Sequence, residues 1–267
     1  MDSGFFDIIK ERGNGCSVTQ RIKEVKQPRG GYINPKELTT ISLGDGIENL
    51  NQNETTHAGL VGMAVDYLTR FMLGSSVEAA FCISMFGAIL IGEEKKAKRL
   101  MAGVKGLDKR SIINAVKLCG FDVCYRAGIM GYKPVDEIMP DDAAIENINT
   151  MVNRSLHFFN QYGPKELDSF TFEGGYTNII ESGDGDFMTK DTLWDFKVSK
   201  KPISKEQTLQ LLIYWRMGLH SIHPEFKTIQ YLGIYNPRKN TVSQIAVTNI
   251  PISIIHEVEA DVIGYLD

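Results

Sequence analysis

The fold is decided by the stretch from Gly183 to Tyr214, which reads Gly-Asp-Gly-Asp-Phe at 183–187, Leu-Trp-Asp-Phe-Lys at 193–197 and Gln-Leu-Leu-Ile-Tyr at 210–214. The first two segments predict strands and the third predicts a helix. Side chains at positions i and i+2 of a strand share a face, so Asp195 and Lys197 point to one side. The apolar side chains beside them point to the other side, into a core. The polar face of such a strand suits the wall of a cleft.

A second carboxylate reaches the same cleft if the two strands form a hairpin. Asp186 lies on the preceding strand, and a turn at residues 189–191 would bring it beside Asp195. Two carboxylates and the lysine can bind a hard divalent cation through oxygen ligands and hold a positive charge beside it. Such a site suits metal-assisted hydrolysis of a phosphodiester. Asp184, which shares a strand face with Asp186, is its nearest competitor.

The order of these features resembles a known family. An acidic residue, a hairpin, Asp-x-Lys and a helical Gln-x-x-x-Tyr are arranged as in the PD-(D/E)xK nuclease superfamily, most closely its RecB-like branch. The resemblance implies that Asp186 and Asp195 are ligands of Mg²⁺ or Mn²⁺. It also implies that Lys197 activates water or stabilises the transition state. Gly185 stands where the superfamily has its namesake proline, which the RecB-like branch often lacks.

An upstream ligand is also implied by the resemblance. RecB-like proteins carry a Gly-Thr-x-x-His-type motif on an earlier helix, and Gly62 to Asp66 falls at that spacing with Asp66 in place of the histidine. An oxygen ligand suits Mg²⁺. The alternative is a surface ion pair between Asp66 and Arg70, which contributes little to stability. His57 is the rival upstream ligand, and its alternative is a residue at the start of the helix.

Substrate contacts are predicted on the helix that follows the Asp-x-Lys strand. Gln207, Gln210 and Tyr214 recur at i, i+3 and i+7 and therefore line one helix face. By resemblance, Gln210 and Tyr214 form the motif that supports the catalytic site and contacts substrate. Lys200 and Lys201 follow the strand where phosphate contacts are needed. A second basic group at residues 95–110 is typical of a solvated helix face.

The whole chain predicts an α/β fold with a restriction-endonuclease-like mixed sheet flanked by helices. A helix and loop-rich arm at residues 1–50 precedes a nuclease domain at 51–267, with a helical insertion at about 75–165 and a catalytic core at about 166–250. Thr55 and Thr56 are candidate N-caps for a helix ending near Leu73. Strands are predicted at 176–188, 192–198, 228–235 and 242–247, and helices at 204–218 and 252–265. The alternative to the first strand is a pair of separate strands at 170–180 and 181–188, broken at Ser182–Gly183.

Composition is that of an ordinary globular protein: 267 residues, 43% hydrophobic, net charge −4 and four cysteines. A local basic stripe can still supply phosphate contacts in an acidic chain. The apolar run at 79–92 is too short to span a bilayer and predicts a buried helix, with Cys82 as a buried free thiol. No cysteine follows the core, so we expect no iron–sulfur cluster. The N-terminus has no basic region of a signal peptide, which favours a cytoplasmic protein with no membrane partner.

These features predict a metal-dependent nuclease that cleaves DNA by activated water. The resemblance implies a bacterial or phage role in DNA processing, repair or defence, beside a separate helicase or ATPase. The alternative is a nuclease-fold module that no longer cuts and instead binds nucleic acid or a partner protein. The sequence leaves open DNA against RNA, single against double strands, and whether the chain forms a homo-oligomer.

Overall fold

A mixed six-stranded β-sheet forms the centre of the protein. The computed structural model describes residues 15–47 and 49–265. The described strands are β1 (Cys16–Ser17), β2 (Thr39–Ser42), β3 (Leu167–Thr171), β4 (Ile180–Ser182), β5 (Asp184–Thr189), β6 (Thr192–Phe196), β7 (Tyr231–Asn236) and β8 (Thr241–Ala246). The sheet order is β2-β8-β7-β6-β5-β3, and β1 pairs with β4 in a separate parallel pair.

The helices lie before, between and after the sheet strands. They are α1 (Val18–Glu24), α2 (Ala58–Met72), α3 (Val77–Ala80), α4 (Cys82–Leu90), α5 (Glu94–Ala102), α6 (Lys109–Cys119), α7 (Asp122–Arg126), α8 (Asp142–Tyr162), α9 (Lys205–His220) and α10 (Ile252–Glu257), which continues as a π-helical turn over Val258–Ile263. Short 3-10 turns occur at Pro35–Glu37, Ile129–Gly131, Val135–Glu137, Pro224–Thr228 and Val247–Asn249.

The direction of each pair of neighbouring strands determines how long the connection between them must be. β5 and β6 are antiparallel and need only a short turn at Lys190 and Asp191. β6 and β7 are parallel, so the chain must cross from one end of the sheet to the other, and α9 makes that crossing. β7 and β8 then form a second antiparallel hairpin. The result is a mixed α/β sheet flanked by helices, as the alternation of strand and helix patterns predicted.

The two faces of the sheet bury different cores. On one face, Leu193 and Leu232 pack with Leu209 and Leu212 of α9, and α1 and α10 join this cluster. On the other face, an aromatic cluster joins the sheet to α8, with Phe158 in contact with Trp194 and stacked on Tyr235. The helices of residues 58–162 add their own apolar core beside that aromatic cluster. Successive side chains of a central strand therefore point alternately to the sheet face covered by α9 and to the face covered by α8.

The predicted single strand at 176–188 was wrong. The break of the alternative is present at Gly183, but its first strand at 170–180 is not formed, because one strand ends at Thr171 and the next begins at Ile180. β4 and β5 separate at Gly183, where an added Cβ would lie 2.8 Å from Val18 Cγ2 of α1. The Tyr176 hydroxyl donates to the Gly183 carbonyl at 3.0 Å and holds the bend. Close packing against α1 therefore explains the break.

The arm contributes more structure than its sequence predicted. β2 is an edge strand of the sheet whose four residues are all exposed, so it lacks the apolar alternation that identifies a strand. Val18, Ile22, Ile33 and Leu38 enter the core on the α9 face. Residues 15–47 thus pack on the sheet. The short helix predicted at the very start of the chain lies outside the described residues.

Two local predictions in the helical region were wrong. The N-cap of α2 is His57, whose Nδ1 accepts from the Gly59 N–H at 3.2 Å, whereas the hydroxyls of Thr55 and Thr56 donate to Asp141. The buried helix at 79–92 is two helices that meet at Phe81, and Cys82 is exposed because it begins the second one on its outer side. Within residues 15–47 and 49–265, no helix has both the length and the apolar character to cross a membrane.

Candidate active site

The two candidate metal ligands face each other across the β5–β6 hairpin. The ladder pairs Phe187 with Trp194, and one step further along both strands come Asp186 and Asp195. Both lie on the α9 face of the sheet, because residues opposite each other in an antiparallel pair share a face. The ladder stops at this point, and Asp186 Oδ2 instead accepts the Phe196 N–H at 2.6 Å. The open end of the hairpin therefore carries two adjacent carboxylates.

Asp195 is the more deeply placed of the two. Asp195 is only 2% exposed, and its Oδ1 accepts a hydrogen bond from Lys197 Nζ at 2.7 Å. Its Oδ2 is buried and has no hydrogen-bond partner in the described part of the chain. Leaving a buried charged oxygen without a partner costs about 1–3 kcal/mol or more. The fold therefore holds a carboxylate oxygen that lacks a donor or cation.

The charges of the site are coupled. Burial and, second, the charge of Asp195 raise the pKa of Asp186, Lys197 opposes both, and the resulting pKa is about 7. Burial lowers the pKa of Lys197, but the negative charges of Asp195 and Asp186 outweigh it and the net shift is upward. Lys197 is therefore a fixed cation at neutral pH, beside a carboxylate pair that carries excess negative charge when both members ionise.

A cleft of about 500 Å³ opens over this site between α2 and the end of the hairpin. Asp186 and Lys197 line one wall, and Gly62 and Asp66 of α2 line the other. A Cβ at Gly62 would lie 3.7 Å from Val198, so α2 approaches closely behind the lysine. The cleft is therefore a polar space of a size that can admit a phosphodiester group.

Asp66 lies in the cleft but its carboxylate is already engaged. Oδ1 accepts from Arg70 Nε at 2.9 Å and Oδ2 from Arg70 Nη2 at 3.0 Å, a two-point ion pair within α2. Arg70 also donates to the hydroxyl of Ser169 on β3. Burial lowers the pKa of Arg70, but Asp66, Asp168 and Asp186 together raise it. Asp66 thus forms the ion pair with Arg70 that was its alternative interpretation, and it holds the Arg70 guanidinium near the acid pair.

His57, the rival upstream ligand, lies outside this cleft. It is exposed, caps α2 through Nδ1, and lines a neighbouring pocket of about 630 Å³. His57 is therefore the residue that caps the start of α2, as its alternative interpretation predicted.

The predicted α9 residues differ in their contacts. Gln207 closes a capping box at the start of the helix, with its Oε1 accepting from the Ser204 N–H at 3.0 Å. Gln210 Nε2 donates to the Tyr214 hydroxyl at 2.8 Å, and Tyr214 is buried against Phe172. Burial raises the pKa of Tyr214, and the charges of Asp195, Asp184 and Asp186 raise it further. Gln210 and Tyr214 therefore bond to each other, with Tyr214 near enough to the acids for their charges to affect it, whereas Gln207 caps its helix.

Lys200 and Lys201 are exposed but do not line the acid cleft. The chain turns away after Val198, so Lys200 lines a shallow groove beside Arg238 and Lys201 lines a larger one beside Lys205. Lys200 and Lys201 follow the Asp-x-Lys strand in sequence, but they do not lie beside Asp186 and Asp195.

Packing explains why a glycine, Gly185, stands directly before Asp186. Gly185 pairs with Phe170 of β3, and a Cβ at this position would lie 2.3 Å from the Phe170 ring. That ring is fixed among Phe172 and Phe226. β5 therefore accepts no side chain directly before Asp186.

Arg126 is a cleft residue that sequence patterns did not reveal. It ends α7 in the helical insertion, lines both the acid cleft and the neighbouring 630 Å³ pocket, and is half exposed. Its guanidinium lies 3.8 Å from the buried Asp122. Burial lowers the pKa of Arg126, but contacts with Tyr67, Asp122 and Asp184 raise it overall. Only the packing of the insertion against α2 brings this cation to the cleft, so no local spacing could indicate it.

The acid pair fits a divalent cation that keeps part of its water shell. In the described residues, no three His, Cys, Asp or Glu side chains converge closely enough to hold an ion unaided. Mg²⁺ commonly binds through one or two carboxylates and takes its other ligands from water and substrate phosphates. The unpaired buried Oδ2 of Asp195 and the adjacent Asp186 carboxylate supply that kind of donor set.

No family model matches this chain, and no curated protein or solved structure shows detectable similarity to it.

Proposed function

We propose that this protein is a metal-dependent nuclease of the restriction-endonuclease-like kind that hydrolyses DNA phosphodiester bonds. The observation that supports it is the buried Asp195, which shares one oxygen with Lys197, leaves the other without a partner, and faces Asp186. A purely structural ion pair would satisfy both oxygens. An acid pair and a lysine, with Asp186 and Lys197 in the wall of a cleft and Asp195 buried behind them, instead match the needs of phosphoryl chemistry.

Asp186 and Asp195 would hold Mg²⁺ or Mn²⁺, with Asp66 retained as the partner of Arg70 rather than as a third ligand. When bound, the ion supplies Lewis-acid polarisation of the phosphate and a more acidic water. Phe196 fixes the Asp186 carboxylate through its N–H, so this ligand keeps its orientation with or without a substrate.

Lys197 acts in this proposal as a fixed positive charge. Its raised pKa keeps the ammonium protonated at neutral pH, which favours neutralisation of charge on the phosphate over deprotonation of water. Arg126, on the opposite wall, adds a second cation that can contact a phosphate oxygen. Gln210 and Tyr214 stabilise the floor of the site behind Asp195.

The test is a cleavage assay with linear, circular and single-stranded DNA in Mg²⁺, Mn²⁺ or EDTA. Wild-type protein should produce fragments with metal and none in EDTA, and Lys197→Ala should lose cleavage by a factor of at least about 10². Lys190→Ala, an exposed lysine at the turn of the same hairpin, is the matched control and should cleave as wild type does.

Two results would count against the proposal in different ways. Cleavage by Lys197→Ala at the wild-type rate would show that the activity comes from another site or from a contaminant. Binding of DNA without cleavage under every metal condition would instead support the idle binding module and exclude the enzyme.

A further inference from the structure

A second groove, about 560 Å³ in volume, lies beside the start of α9. Its walls come from the arm at residues 34–40, the connection at 201–205, and the hairpin of β7 and β8. Four lysines line it, and its lining contains no acidic residue: Lys36, Lys201, Lys205 and Lys239. We call this the lysine groove.

The lysines of this groove have no carboxylate partners. None of the four forms an ion pair with a carboxylate of the described residues, and Lys239 Nζ donates only to the Lys201 carbonyl, at 2.9 Å. Three lysines of the helical insertion differ from them: Lys96, Lys98 and Lys109 are each paired with a carboxylate within 3.1 Å. Like charges gathered without counter-charges repel one another, so the groove is built to attract an anion.

The lysine groove lies on the same sheet face as the acid pair. Register places Asp195 beside Ile234 of β7, Ile234 beside Ser243 of β8, and Ser243 beside Thr40 of β2. The last three residues all line the groove. Since neighbouring strands lie about 4.8 Å apart, the row runs about 14 Å from the acid pair to the edge strand. Asp195, Ile234 and Ser243 are each only 2% exposed, so the row gives the separation of the two places and not a surface path. A linear polyanion that extends about 14 Å beyond the acid pair can contact both places.

We propose that the lysine groove binds the phosphodiester backbone of the DNA strand whose scissile phosphate lies at Asp186 and Asp195. This inference rests on the proposed nuclease function and adds the path of the substrate to it. One strand of B-form DNA carries a phosphate about every 3.4 Å along the axis, so about four nucleotides span the row. The side chains of Ile203 and Ile234 give the groove apolar walls for the sugars between the phosphates.

The proposal explains where Lys201 acts. It contacts the strand several nucleotides from the bond that is cut, rather than the scissile phosphate itself. Phosphate contacts of this kind set position and affinity without reading sequence. Changes in the lysine groove should therefore affect binding of all DNA sequences alike and leave the chemical step unchanged.

The experiment measures the salt dependence of binding to a fluorescent single-stranded DNA oligonucleotide in EDTA, by anisotropy. The test variant is Lys36→Gln with Lys239→Gln, and the control is Lys98→Gln with Lys109→Gln, which removes the same charge from paired lysines. For single strands each phosphate contact contributes about 0.7 to the slope of log K against log salt. The test variant should lower the slope by about 1.4 and weaken binding on the order of tenfold, while the control leaves both nearly unchanged.

An equal effect of the two variants, or no change in slope for the test variant, would overturn the proposal. Competition by inorganic phosphate at constant ionic strength separates a backbone site from a site for a single anion. Release of the oligonucleotide by millimolar phosphate, with no dependence of affinity on oligonucleotide length, would also overturn it.

Cleavage kinetics distinguish a failure of this inference from a failure of the nuclease proposal. If both hold, the test variant raises KM with kcat unchanged, whereas Asp195→Asn removes cleavage but keeps the wild-type salt slope. Cleavage with KM and slope unmoved in the test variant would reject the lysine groove alone. No cleavage, with a slope that still responds to the groove lysines, would reject the nuclease and keep the groove as a DNA-binding surface.

Discussion

Asp186 Oδ2 accepts the backbone N–H of Phe196 at 2.6 Å, in place of the next rung of the β5–β6 ladder. This bond holds the Asp186 carboxylate beside Asp195 at the point where the backbone pairing of the hairpin ends. An acidic side chain held by a backbone donor keeps its position independently of bound ions. The site is therefore pre-formed by the fold.

The first prediction concerns the pH dependence of stability without metal. The folded pKa of Asp186, about 7, lies above the value of about 3.9 for an unfolded aspartate, so the folded state keeps a proton that the unfolded state releases. The resulting stabilisation is complete below about pH 4 and is lost as the pH rises through 7. Asp186→Asn should therefore gain stability relative to wild type as the pH rises from 4 to 8.

Urea denaturation in EDTA at several pH values measures this difference. A constant gap between Asp186→Asn and wild type across the range would show that the carboxylate is not strained by its neighbours. Added Mg²⁺ gives a second readout, because metal binds the deprotonated pair. It should raise the Tm of wild type more at pH 8 than at pH 6 and have little effect on the variant.

The second prediction separates the two roles of Asp66. Because both of its oxygens are engaged by Arg70, Asp66→Ala and Arg70→Ala both remove this ion pair, and Arg70→Ala also removes the bond to Ser169. Both should lower stability by about 1 kcal/mol or less and reduce cleavage to a similar, moderate extent. Denaturation and cleavage rates at several Mg²⁺ concentrations check this. Loss of all activity in Asp66→Ala, with Arg70→Ala nearly normal and a raised Mg²⁺ requirement, would show that Asp66 is a direct ligand.

The third prediction tests the packing that requires a glycine at position 185. Gly185→Ala places a Cβ 2.3 Å from the Phe170 ring and should destabilise the protein by about 1–3 kcal/mol, as overpacked cores do. Gly106→Ala is the control, since its Cβ meets nothing within 4 Å. Thermal denaturation compares the two. Equal Tm values for both variants would mean that the Phe170 ring can move and that Gly185 is not required by packing.

Much of the sheet could be predicted because its central strands are short, largely buried runs bounded by turn residues. β6, β7 and β8, with α9 between the first two, lie within a few residues of their predicted positions. β2 could not be predicted, since an exposed edge strand has no apolar side to reveal it. The break at Gly183 depends on Val18, far away in sequence, and so was only an alternative.

The candidate site was predictable where it depends on one hairpin. Asp186, Asp195 and Lys197 meet because strand periodicity and a short turn require it. Residues whose position depends on tertiary packing were not predictable: Arg126 reaches the cleft through the helical insertion, and Lys201 is carried away from it by the turn after β6. The spacing of residues along the sequence does not indicate where either side chain lies in the folded protein.

The central claim is that the acid pair holds a divalent cation, and titration with Mn²⁺ followed by electron paramagnetic resonance tests it most directly. Wild-type protein should bind Mn²⁺, and Asp195→Asn should weaken that binding by at least about tenfold while circular dichroism shows an unchanged fold. Asp191→Asn, at the turn of the same hairpin and outside the cleft lining, is the control and should bind as wild type does. Equal Mn²⁺ binding by wild type and Asp195→Asn would place the ion elsewhere and contradict the account.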